Sequence, residues 1–355
     1  MSIVAHAHPF VIGVDTHART HTLAVLAATG EELASEQFPT TSAGIARAIA
    51  WAARRTGGDL AALWVIEGIG TYGAQLAREV TDTGYEVAEA PGMNARARRG
   101  TGKSDPLDAK AIATAALAQE TMQLRRPRRD DGTRAALRIL ITAREQMTTE
   151  RTANVNALTA LLRARDLGLD ARQPLKAAQI REVARWRARN EDLAAATARE
   201  ETTRLAGRII ALEEMLKTNR KRMTELIQAS PAAPLLNETG IGPRTAAVLI
   251  TAWSHPGRVR SEAAFAALAG VNPIPASSGN TVRHRLNRGG DRGLNHALHT
   301  AAITKMRCDP NTRAYTERRL ADGRTHREIR RCIKRYLARH IYRTLNALHT
   351  PARTT

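Results

Sequence analysis

The chain has 355 residues, which is long enough for two or three domains with hydrophobic cores of their own. Its 54 Lys and Arg residues outnumber its 34 Asp and Glu residues, and the net charge of +20 is typical of proteins that bind a polyanion such as nucleic acid. Two cysteines without metal-ligand spacing exclude a disulfide framework, and an aromatic content of 3% argues against base stacking as the main mode of binding.

Alternating strand and helix signals fill residues 10–120. Apolar β-rich runs at hairpin distance predict antiparallel strands, and helical periodicity then alternates with two further apolar runs. Antiparallel strands followed by βα units imply an α/β domain with a mixed sheet and helices on its faces, which we assign to residues 1–130. The predicted strands are 10–15, 21–28, 31–38, 61–67 and 85–90, and the predicted helices are 43–55 and 72–83.

Residues 131–228 have a different composition, poor in Gly and Pro and rich in Ala, Arg and Glu. Apolar residues recur at helical spacing before and after the interruption DLGLDARQP at 166–174. This pattern predicts two long helices joined by a loop, either a coiled-coil hairpin or a plain helical bundle. Arg144 and Arg151 fall on the apolar stripe, so the predicted seam between the helices is imperfect.

Residues 229–355 form a third predicted region, which is helical and strongly basic. Between 281 and 345 there are 17 Lys and Arg residues and 5 Asp and Glu residues, a net charge of +12. The segment LLNETGIGPRTAAVLITA at 235–252 has the pattern helix, turn, helix. Gly240 and Gly242 permit a tight turn whose backbone N–H groups face a phosphate. We interpret the segment as a helix-hairpin-helix that grips a nucleic-acid backbone, with an ordinary Gly-rich helix connection as the alternative.

A loop rich in Pro, Ser and Gly follows from Asn272 to Asn280, and it exposes Ser277 and Ser278. Exposed loop serines are usually turn formers. Four arginines come directly after the loop, and their guanidinium groups are suited to clamp a phosphate and to stabilise a pentacoordinate transition state. These arginines are Arg283, Arg285, Arg288 and Arg292.

The stretch RRGTGKSDPLDAKAIATAA at 98–116 contains Gly-Lys-Ser, the end of a phosphate-binding loop. That motif requires Gly, four residues and then Gly-Lys-Ser or Gly-Lys-Thr between a strand and a helix, but Ala97 occupies the first glycine position and no strand precedes it. A helix start explains the stretch better. Pro106 suits the first turn, and Asp105 is predicted as the N-cap with Asp108 in a capping-box-like position.

Two further acids indicate that this helix start could also be part of a metal site. Asp15 and Glu67 each end an apolar strand-like run, where a carboxylate emerges at the edge of a sheet, although each alone is more often a turn residue. Asp105 and Asp108, at positions i and i+3, project from one face of their helix. Four carboxylates gathered together repel one another unless a cation neutralises them, and hard oxygen ligands suit Mg²⁺ or Mn²⁺. Two such ions stabilise the attacking and leaving oxygens of phosphodiester cleavage.

These acids carry a family resemblance. Asp15 in IGVDTHARTHTLAVL, Glu67 in VIEGIGTYG, and Asp105 and Asp108 in GKSDPLDAKAIA resemble the DEDD tetrad of insertion-sequence-110 family transposases. Order, spacing and flanking residues agree, and the resemblance continues over nearly the whole chain. It implies that residues 1–130 form an RNase H-like, RuvC-like catalytic domain in which the four acids hold Mg²⁺ or Mn²⁺.

The resemblance also implies the role of the C-terminal region. A transposase domain at 229–355 would carry a nucleophilic serine just before a glycine, and Ser278 matches it, with Ser277 the alternative if the register slips by one. Serine attack would keep the phosphodiester energy in a covalent link, so that strands are exchanged without an external energy source. His284 is a local candidate base. The residues expected to contact nucleic acid are Gly240, Gly242, Arg244, Arg283, Arg285, Arg288, Arg292 and Lys103.

The activity implied by the resemblance is that of a DNA recombinase that mobilises its own insertion element. Its expected partners are donor and target double-stranded DNA, and a structured bridge RNA whose loops pair with both, so that base pairing reads sequence while the protein reads backbone and shape. The helical region at 131–228 is expected to assemble a dimer or tetramer. No signal peptide and no membrane-spanning apolar run is recognised, so a cytoplasmic, nucleoid-associated protein is expected.

Two other functions fit the residues. The first is a metal-dependent junction-resolving nuclease, in which the acids cut by water attack and Ser278 is structural. The second is a non-catalytic nucleic-acid-binding protein, in which the acids are caps and turn residues.

Overall fold

The computed structural model describes residues 2–91, 104–128, 132–276 and 284–349 of the chain. These residues divide into two separately packed units, Met1–Asp130 and Asp131–Thr355. The division coincides with the point at which the sequence changes from alternating strand and helix signals to long helical periodicity. No helix of the described ranges is both long and apolar enough to cross a membrane.

A five-stranded mixed sheet forms the centre of the first unit. A short helix, α1 (Val4–Ala7), precedes it, and the strands have the order β3-β2-β1-β4-β5. The first three strands are antiparallel, whereas β4 and β5 run parallel to β1. The five predicted strands are confirmed, with bounds that differ by a few residues. The strands are β1 (Phe10–Thr16), β2 (Thr20–Ala27), β3 (Glu32–Pro39), β4 (Leu63–Ile66) and β5 (Glu86–Glu89).

Helices cover both faces of this sheet, as predicted. Helices α2 (Ser42–Arg55) and α3 (Ala74–Asp82) pack on one face, where Ile12 and Val14 of β1 lie in their core. Helix α4 (Asp105–Leu117) packs on the other face, where its apolar residues meet Val11. Because side chains alternate along a strand, Gly13 and Asp15 share the α4 face with Val11.

Gly13 determines how closely α4 approaches the sheet. A Cβ atom at Gly13 would lie 2.2 Å from the carbonyl oxygen of Ala109 and 2.7 Å from the backbone nitrogen of Ala113. Both distances are far below van der Waals contact, so the helix backbone rests directly on the strand backbone. Only glycine at this position allows that approach. Since Asp15 is two residues further along β1, the contact also holds the first turn of α4 beside Asp15.

Two long antiparallel helices begin the second unit, α5 (Gly132–Ala164) and α7 (Leu193–Gln228), with the short helix α6 (Ala177–Val183) between them. The two arginines on the predicted apolar stripe have polar partners across the seam. Arg144 donates to the carbonyl oxygen of Leu216 at 2.9 Å, and Arg151 Nε donates to Glu213 at 3.1 Å. Burying a charge without such partners is costly, so these contacts make the seam tolerable.

The second long helix starts later than the sequence pattern indicates. Val183 and Trp186 continue the apolar periodicity, but the helix breaks after Val183 and restarts at Leu193. Asp192 is the N-cap of α7, and its carboxylate accepts from the backbone nitrogen of Ala195 at 2.9 Å. A strong N-cap overrides apolar periodicity because it satisfies a backbone donor that the helix leaves unpaired.

The C-terminal helices share a core with the long pair. Leu137 of α5 and Met223 and Ile227 of α7 lie in the same buried cluster as residues of the last helices. A boundary near residue 228 therefore falls inside this packed unit, and the separate C-terminal domain stays a prediction.

The remaining elements are α8 (Pro243–Trp253), α9 (Glu262–Leu268), β6 (Ile274–Pro275), β7 (His284–Arg285), α10 (Arg292–Cys308), α11 (Pro310–Ala321) and α12 (His326–His349).

The predicted helix-turn-helix at 235–252 begins with a single 3-10 turn, Ala233–Asn237, rather than with an α-helix. Gly240 has a φ of 87° and packs so tightly on α10 that a Cβ there would lie 2.7 Å from the carbonyl oxygen of Ala301. Gly242 is the N-cap of α8, and nothing lies within 4 Å of where its Cβ would be. The start of α8 is thus open, while the turn before it is held by α10.

We predict that Gly13→Ala loosens the first unit. The added methyl group must displace the α4 backbone, and overpacking of this kind costs about 1–3 kcal/mol. Hydrogen–deuterium exchange of peptides from β1 and α4 should become faster than in the wild type. Gly207→Ala is the matched control, because Gly207 is an interior residue of α7 with open space around it and alanine there should stabilise the helix by roughly 0.5–1 kcal/mol. Unchanged exchange in Gly13→Ala would contradict the close approach of α4.

Candidate metal centre

Asp15 lies near the end of the central strand and is only 7% exposed. Its Oδ2 atom is buried without a hydrogen-bond partner among the described residues. A buried carboxylate oxygen without a donor is costly, because the protein supplies nothing to replace its hydration. Such an atom marks a site where an outside partner belongs.

Glu67 is brought to the same edge of the sheet by parallel pairing. It follows β4 directly, and the register pairs Val14 with Ile66, so the residues after each pair lie side by side. The Glu67 backbone nitrogen donates to the Val14 carbonyl oxygen at 3.0 Å, and the Thr16 hydroxyl donates to the Glu67 carbonyl oxygen at 2.9 Å. These bonds fix the backbone of Glu67 while its side chain stays exposed.

The first turn of α4 supplies the other two acids, but not in the predicted capping positions. Ser104 is the N-cap, although its side chain makes no capping bond, and Asp105 is the first helical residue. The predicted N-cap at Asp105 and the capping-box position of Asp108 are therefore wrong by one residue, because the chain enters the helix at Ser104. The Asp105 carboxylate instead accepts a bond from Gln37 of β3 at 3.4 Å.

His17 is a member of the site that the sequence analysis missed. One ligand atom from each of Asp15, His17 and Asp105 lies within 4.8 Å of the others. His17 Nδ1 is 3.7 Å from Asp15 Oδ2, and the His17 side chain is 53% exposed. The available signal was spacing, since His17 follows Asp15 by two residues in VDTH and so emerges on the same face of the chain.

The charge of the site shows in the ionisation of Asp15. Burial raises the pKa of its carboxyl, the nearby His17 opposes that change, and the negative charges of Glu67, Asp108 and Asp105 raise the pKa further. The other three predicted acids are thus each close enough to Asp15 to disfavour its charged form. Neutral protein donors do not relieve this repulsion at Asp15 Oδ2, whereas a divalent cation would do so.

The donor set therefore fits a divalent metal ion. Carboxylate oxygens suit Mg²⁺ and Mn²⁺, and the imidazole nitrogen of His17 adds a ligand that Mg²⁺ seldom uses. The structure brings Asp15, His17 and Asp105 to ligand distances of one another and places Glu67 and Asp108 within electrostatic reach.

The predicted nucleic-acid contacts lie in several places. Arg244 is 3.8 Å from Glu145 in an ion pair, Arg285 lies in the short strand β7, and Arg288 and Arg292 line a cavity in the second unit. All four arginines belong to the second unit. The predictions for Lys103, Ser277, Ser278 and Arg283 fall outside the described residues.

A mixed sheet with acids at the ends of β1 and β4 and at the start of a helix is consistent with the RNase H-like class of nucleic-acid enzymes. Comparison with known proteins defines the family more narrowly. Residues 12–165 match the model of the DEDD transposase domain of IS110, and residues 232–317 match that of the transposase IS116/IS110/IS902 family. The chain belongs to the IS110 family of insertion-element transposases.

Two relatives illustrate this membership. A 42 kDa protein of the insertion element IS900 from Mycobacterium paratuberculosis is 26% identical over 399 aligned positions, which cover 98% of this chain and 99% of that protein. A 43.6 kDa protein of the insertion element IS110 from Streptomyces coelicolor is 34% identical over 124 residues, which cover 34% of this chain and 31% of that protein.

We predict that Asp105→Asn weakens binding of Mn²⁺ by at least about tenfold, since it removes one charged ligand and leaves the helix start at Ser104 intact. Isothermal titration with MnCl₂ measures this. Asp82→Asn, which removes an exposed acid at the end of α3, should bind Mn²⁺ as the wild type does. Equal Mn²⁺ affinity in Asp105→Asn and the wild type would contradict the site.

We also predict that Asp15→Asn makes the protein more stable than the wild type without metal, and less stable than the wild type with metal. Without metal, at neutral pH, the free energy of unfolding of the variant should exceed that of the wild type by roughly 0.5–2 kcal/mol, because the substitution removes a buried charge that neighbouring acids repel. With Mn²⁺ at 100 times its Kd the wild type should gain about 2.7 kcal/mol, and the variant should not. Thermal unfolding with EDTA and with Mn²⁺ measures both, with Glu36→Gln on β3 as an exposed control.

The difference in stability between the wild type and Asp15→Asn should depend on pH in a definite direction. Because the folded-state pKa of Asp15 is raised, its favourable contribution is present in acid and is lost as the pH rises through that pKa. The advantage of Asp15→Asn without metal should therefore shrink as the pH is lowered. An advantage that grows in acid would contradict the assignment of repulsion to Asp15.

Proposed function

We propose that this protein cuts and rejoins DNA strands to mobilise its insertion element. The observation that carries the proposal is the convergence of Asp15, Asp105 and His17, with Glu67 and Asp108 close by, around a buried carboxylate oxygen without a donor. Membership of a transposase family gives this acidic site a reaction class, the transfer of phosphodiester bonds.

In this proposal Asp15, Glu67, Asp105 and Asp108 hold Mg²⁺ or Mn²⁺, and His17 is an additional ligand or a proton carrier. When bound there, divalent cations would supply Lewis-acid stabilisation of phosphate oxygens. Asp15 is the fixed member of the set, since it is buried on the central strand, whereas Glu67 is exposed and can turn toward a substrate. Gln37 holds the Asp105 carboxylate through its side-chain amide.

The proposed nucleophile is Ser278, with Ser277 as the alternative. Its oxygen attacks the phosphorus of a DNA phosphodiester, so that a phosphorus–serine bond forms while the bond from phosphorus to one deoxyribose oxygen breaks. The serine proton passes to that oxygen, which leaves as a hydroxyl group. A hydroxyl of the second strand then attacks the phosphoserine, re-forms a phosphodiester and restores the serine hydroxyl.

The basic residues of the second unit would hold the strands by their backbones. The open start of α8 at Gly242 supports contact with a phosphate through backbone N–H groups. Arg285, Arg288 and Arg292 are exposed, which suits contacts to phosphate oxygens. The excess positive charge and the low aromatic content favour backbone contacts over base readout.

Two further features complete the proposal. A bridge RNA of the element would pair with donor and target DNA, which assigns sequence recognition to base pairing. A dimer or tetramer, assembled through α5 and α7, would hold the two duplexes that strand exchange requires. Exposed Ile139 and Leu193 on these helices are compatible with such an assembly.

A junction-resolving nuclease is the second candidate, and one observation favours it. The acidic centre is formed by residues of the first unit alone, so cleavage by water would not require the serine. A purely nucleic-acid-binding protein is the third possibility, but it gives no reason for the orphaned oxygen of Asp15.

A denaturing gel distinguishes these functions. The purified protein is incubated with Mg²⁺, end-labelled donor and target DNA, and RNA transcribed from the flanks of the element. Recombinase activity predicts a covalent protein–DNA adduct that Ser278→Ala reduces by at least about a hundredfold, while Ser277→Ala retains it. Asp105→Asn should abolish the adduct as well, because the metal site is lost while the fold remains.

Each of the other results on the gel supports a different function. Cut DNA without an adduct in wild type and Ser278→Ala alike supports the nuclease. Neither adduct nor cleavage, with DNA still retained, supports the binding protein. Full activity of Asp105→Asn would overturn the acidic site in every version of the proposal.

A further inference from the structure

The second unit contains a cavity of about 720 Å³, and of its lining residues the proposed function uses only Arg288 and Arg292. It lies between residues 286–291, the first half of α10 and the first half of α12. None of its described lining residues is Phe, Tyr or Trp, and Asp291 is the one acid among them. Six cations line it, namely Arg288, Arg292, Arg327, Arg330, Arg331 and Lys334.

These cations lack the neutralising partners that neighbouring arginines have. Further along α12, Arg339 and Arg343 both pair with Glu262, at 3.1 and 2.9 Å. Within the described ranges, none of the six lining cations lies within ion-pair distance of a carboxylate. The Asp291 carboxylate accepts from the backbone nitrogen of Leu294 at 2.9 Å as the N-cap of α10. Arg331 is close enough to Glu328 to lower the pKa of that carboxyl, and no such carboxyl is described for the other five. The cavity therefore gathers an excess of positive charge.

Lys334 is held in place as a binding group would be. Its Nζ donates to Asn295 Oδ1 at 2.7 Å, and the amide of Asn295 is fixed because its nitrogen donates to the Ala269 carbonyl oxygen at 2.7 Å. Arg330 contributes a second oriented group, since its Nε is buried without a hydrogen-bond partner among the described residues. One cation is thus aimed by a hydrogen-bond chain, and another has a donor that is not satisfied.

Close glycine packing fixes the wall formed by residues 286–291. Gly290 has a φ of 93°, and a Cβ there would lie 2.6 Å from the Leu268 carbonyl oxygen, while a Cβ at Gly270 would lie 2.4 Å from the Gly289 carbonyl oxygen. The wall and the end of α9 are therefore in backbone contact, and the cavity is a formed feature rather than a gap between side chains.

The ionisation of two cavity groups shows the same excess of positive charge. Burial lowers the pKa of Lys334, and Arg330 lowers it further. The pKa of His299 is lowered by burial and then by Lys334, Arg330 and His296. An anion in the cavity would oppose both changes, so binding would be accompanied by proton uptake.

We infer that this cavity binds the backbone phosphates of one nucleic-acid strand. A polyanion fits because six cations and a single acid line the cavity, and guanidinium groups match phosphate oxygens in geometry. The volume is that of a site for a small ligand, which admits a short stretch of a single strand but not a duplex. The lack of Phe, Tyr and Trp among the described lining residues favours phosphates over stacked bases.

The inference rests on the premise of the proposed function that the chain acts on nucleic acid, and it shares with that function the phosphate contacts of Arg288 and Arg292. It requires neither the serine nor the acids, and it assigns a role to α12, whose cations the sequence analysis did not single out. Phosphates of DNA or of RNA have the chemistry required, so both strands serve as probes.

The test is fluorescence anisotropy with the full-length protein and labelled 12-nucleotide single strands of DNA and RNA of one base sequence, at several salt concentrations. Arg330→Gln and Lys334→Gln should each weaken binding about tenfold and reduce the slope of log K against log salt by about 1. Arg307→Gln is the control, because it removes one exposed cation at the opposite end of α10. That control should stay within about twofold of the wild type.

Affinity should also increase as the pH falls from 8 to 5.5, because the bound anion favours protonated His299. The groups that face His299 are His296 on α10, Lys334 and Arg330 on α12, and Arg288 and Asp291 on the wall. His296→Gln/His299→Gln should flatten the pH dependence, and circular dichroism checks that each variant is folded.

The outcomes separate this inference from the proposed function. Weaker binding of the cavity variants to DNA, to RNA or to both supports the cavity and identifies the strand that it takes, even if no adduct forms on the gel. If the cavity variants bind both probes as tightly as Arg307→Gln does, with the salt slope of the wild type, the inference that the cavity binds nucleic acid is wrong. The adduct test of the proposed function is unaffected by that result.

Discussion

The direct contact between strand β1 and helix α4 at Gly13 is the constraint on which the acidic centre depends. A side chain at this position would hold the helix away from the sheet, and Asp105 and Asp108 would move with it. Asp15 lies two residues further along β1 and is 7% exposed, so the close approach at Gly13 brings the acids of α4 to a buried carboxylate. The site is therefore built into the core of the first unit rather than placed on a surface loop.

Each unit concentrates charge of one sign without neutralising it. In the first unit, burial and neighbouring acids disfavour the ionised form of Asp15. In the second unit, burial and neighbouring arginines disfavour the charged forms of Lys334 and His299. Both arrangements disfavour the charged forms of partly buried groups. The proposed ligands of opposite charge, a cation in one case and a polyanion in the other, would relieve them. Stability given up at such sites is a frequent consequence of selection for binding.

Local pattern and long-range packing differ in what they reveal. Alternation and apolar runs located the five described strands of the first unit. Four of them are buried, whereas β3 is mostly exposed and was located by its hairpin distance from β2. The acids after β1 and β4 were found for the same reason, since a carboxylate at the end of an apolar run is visible in one dimension. Periodicity failed between Val183 and Leu193, where Asp192 starts a new helix. The position of Pro106 led to an N-cap prediction at Asp105, one residue after the observed N-cap Ser104.

The sequence by itself determined the class of the fold, the order of the four acids and the basic character of the last third of the chain, because these depend on neighbours along the chain. Only the tertiary structure decided that His17 joins Asp15 and Asp105, that Arg144 and Arg151 are satisfied across a helix seam, and that cations from α10 and α12 share a cavity. The physical reason is that these groups meet through parallel strand pairing, close glycine contacts and helix packing. Such contacts join residues that are far apart in the chain and leave no periodic mark on it.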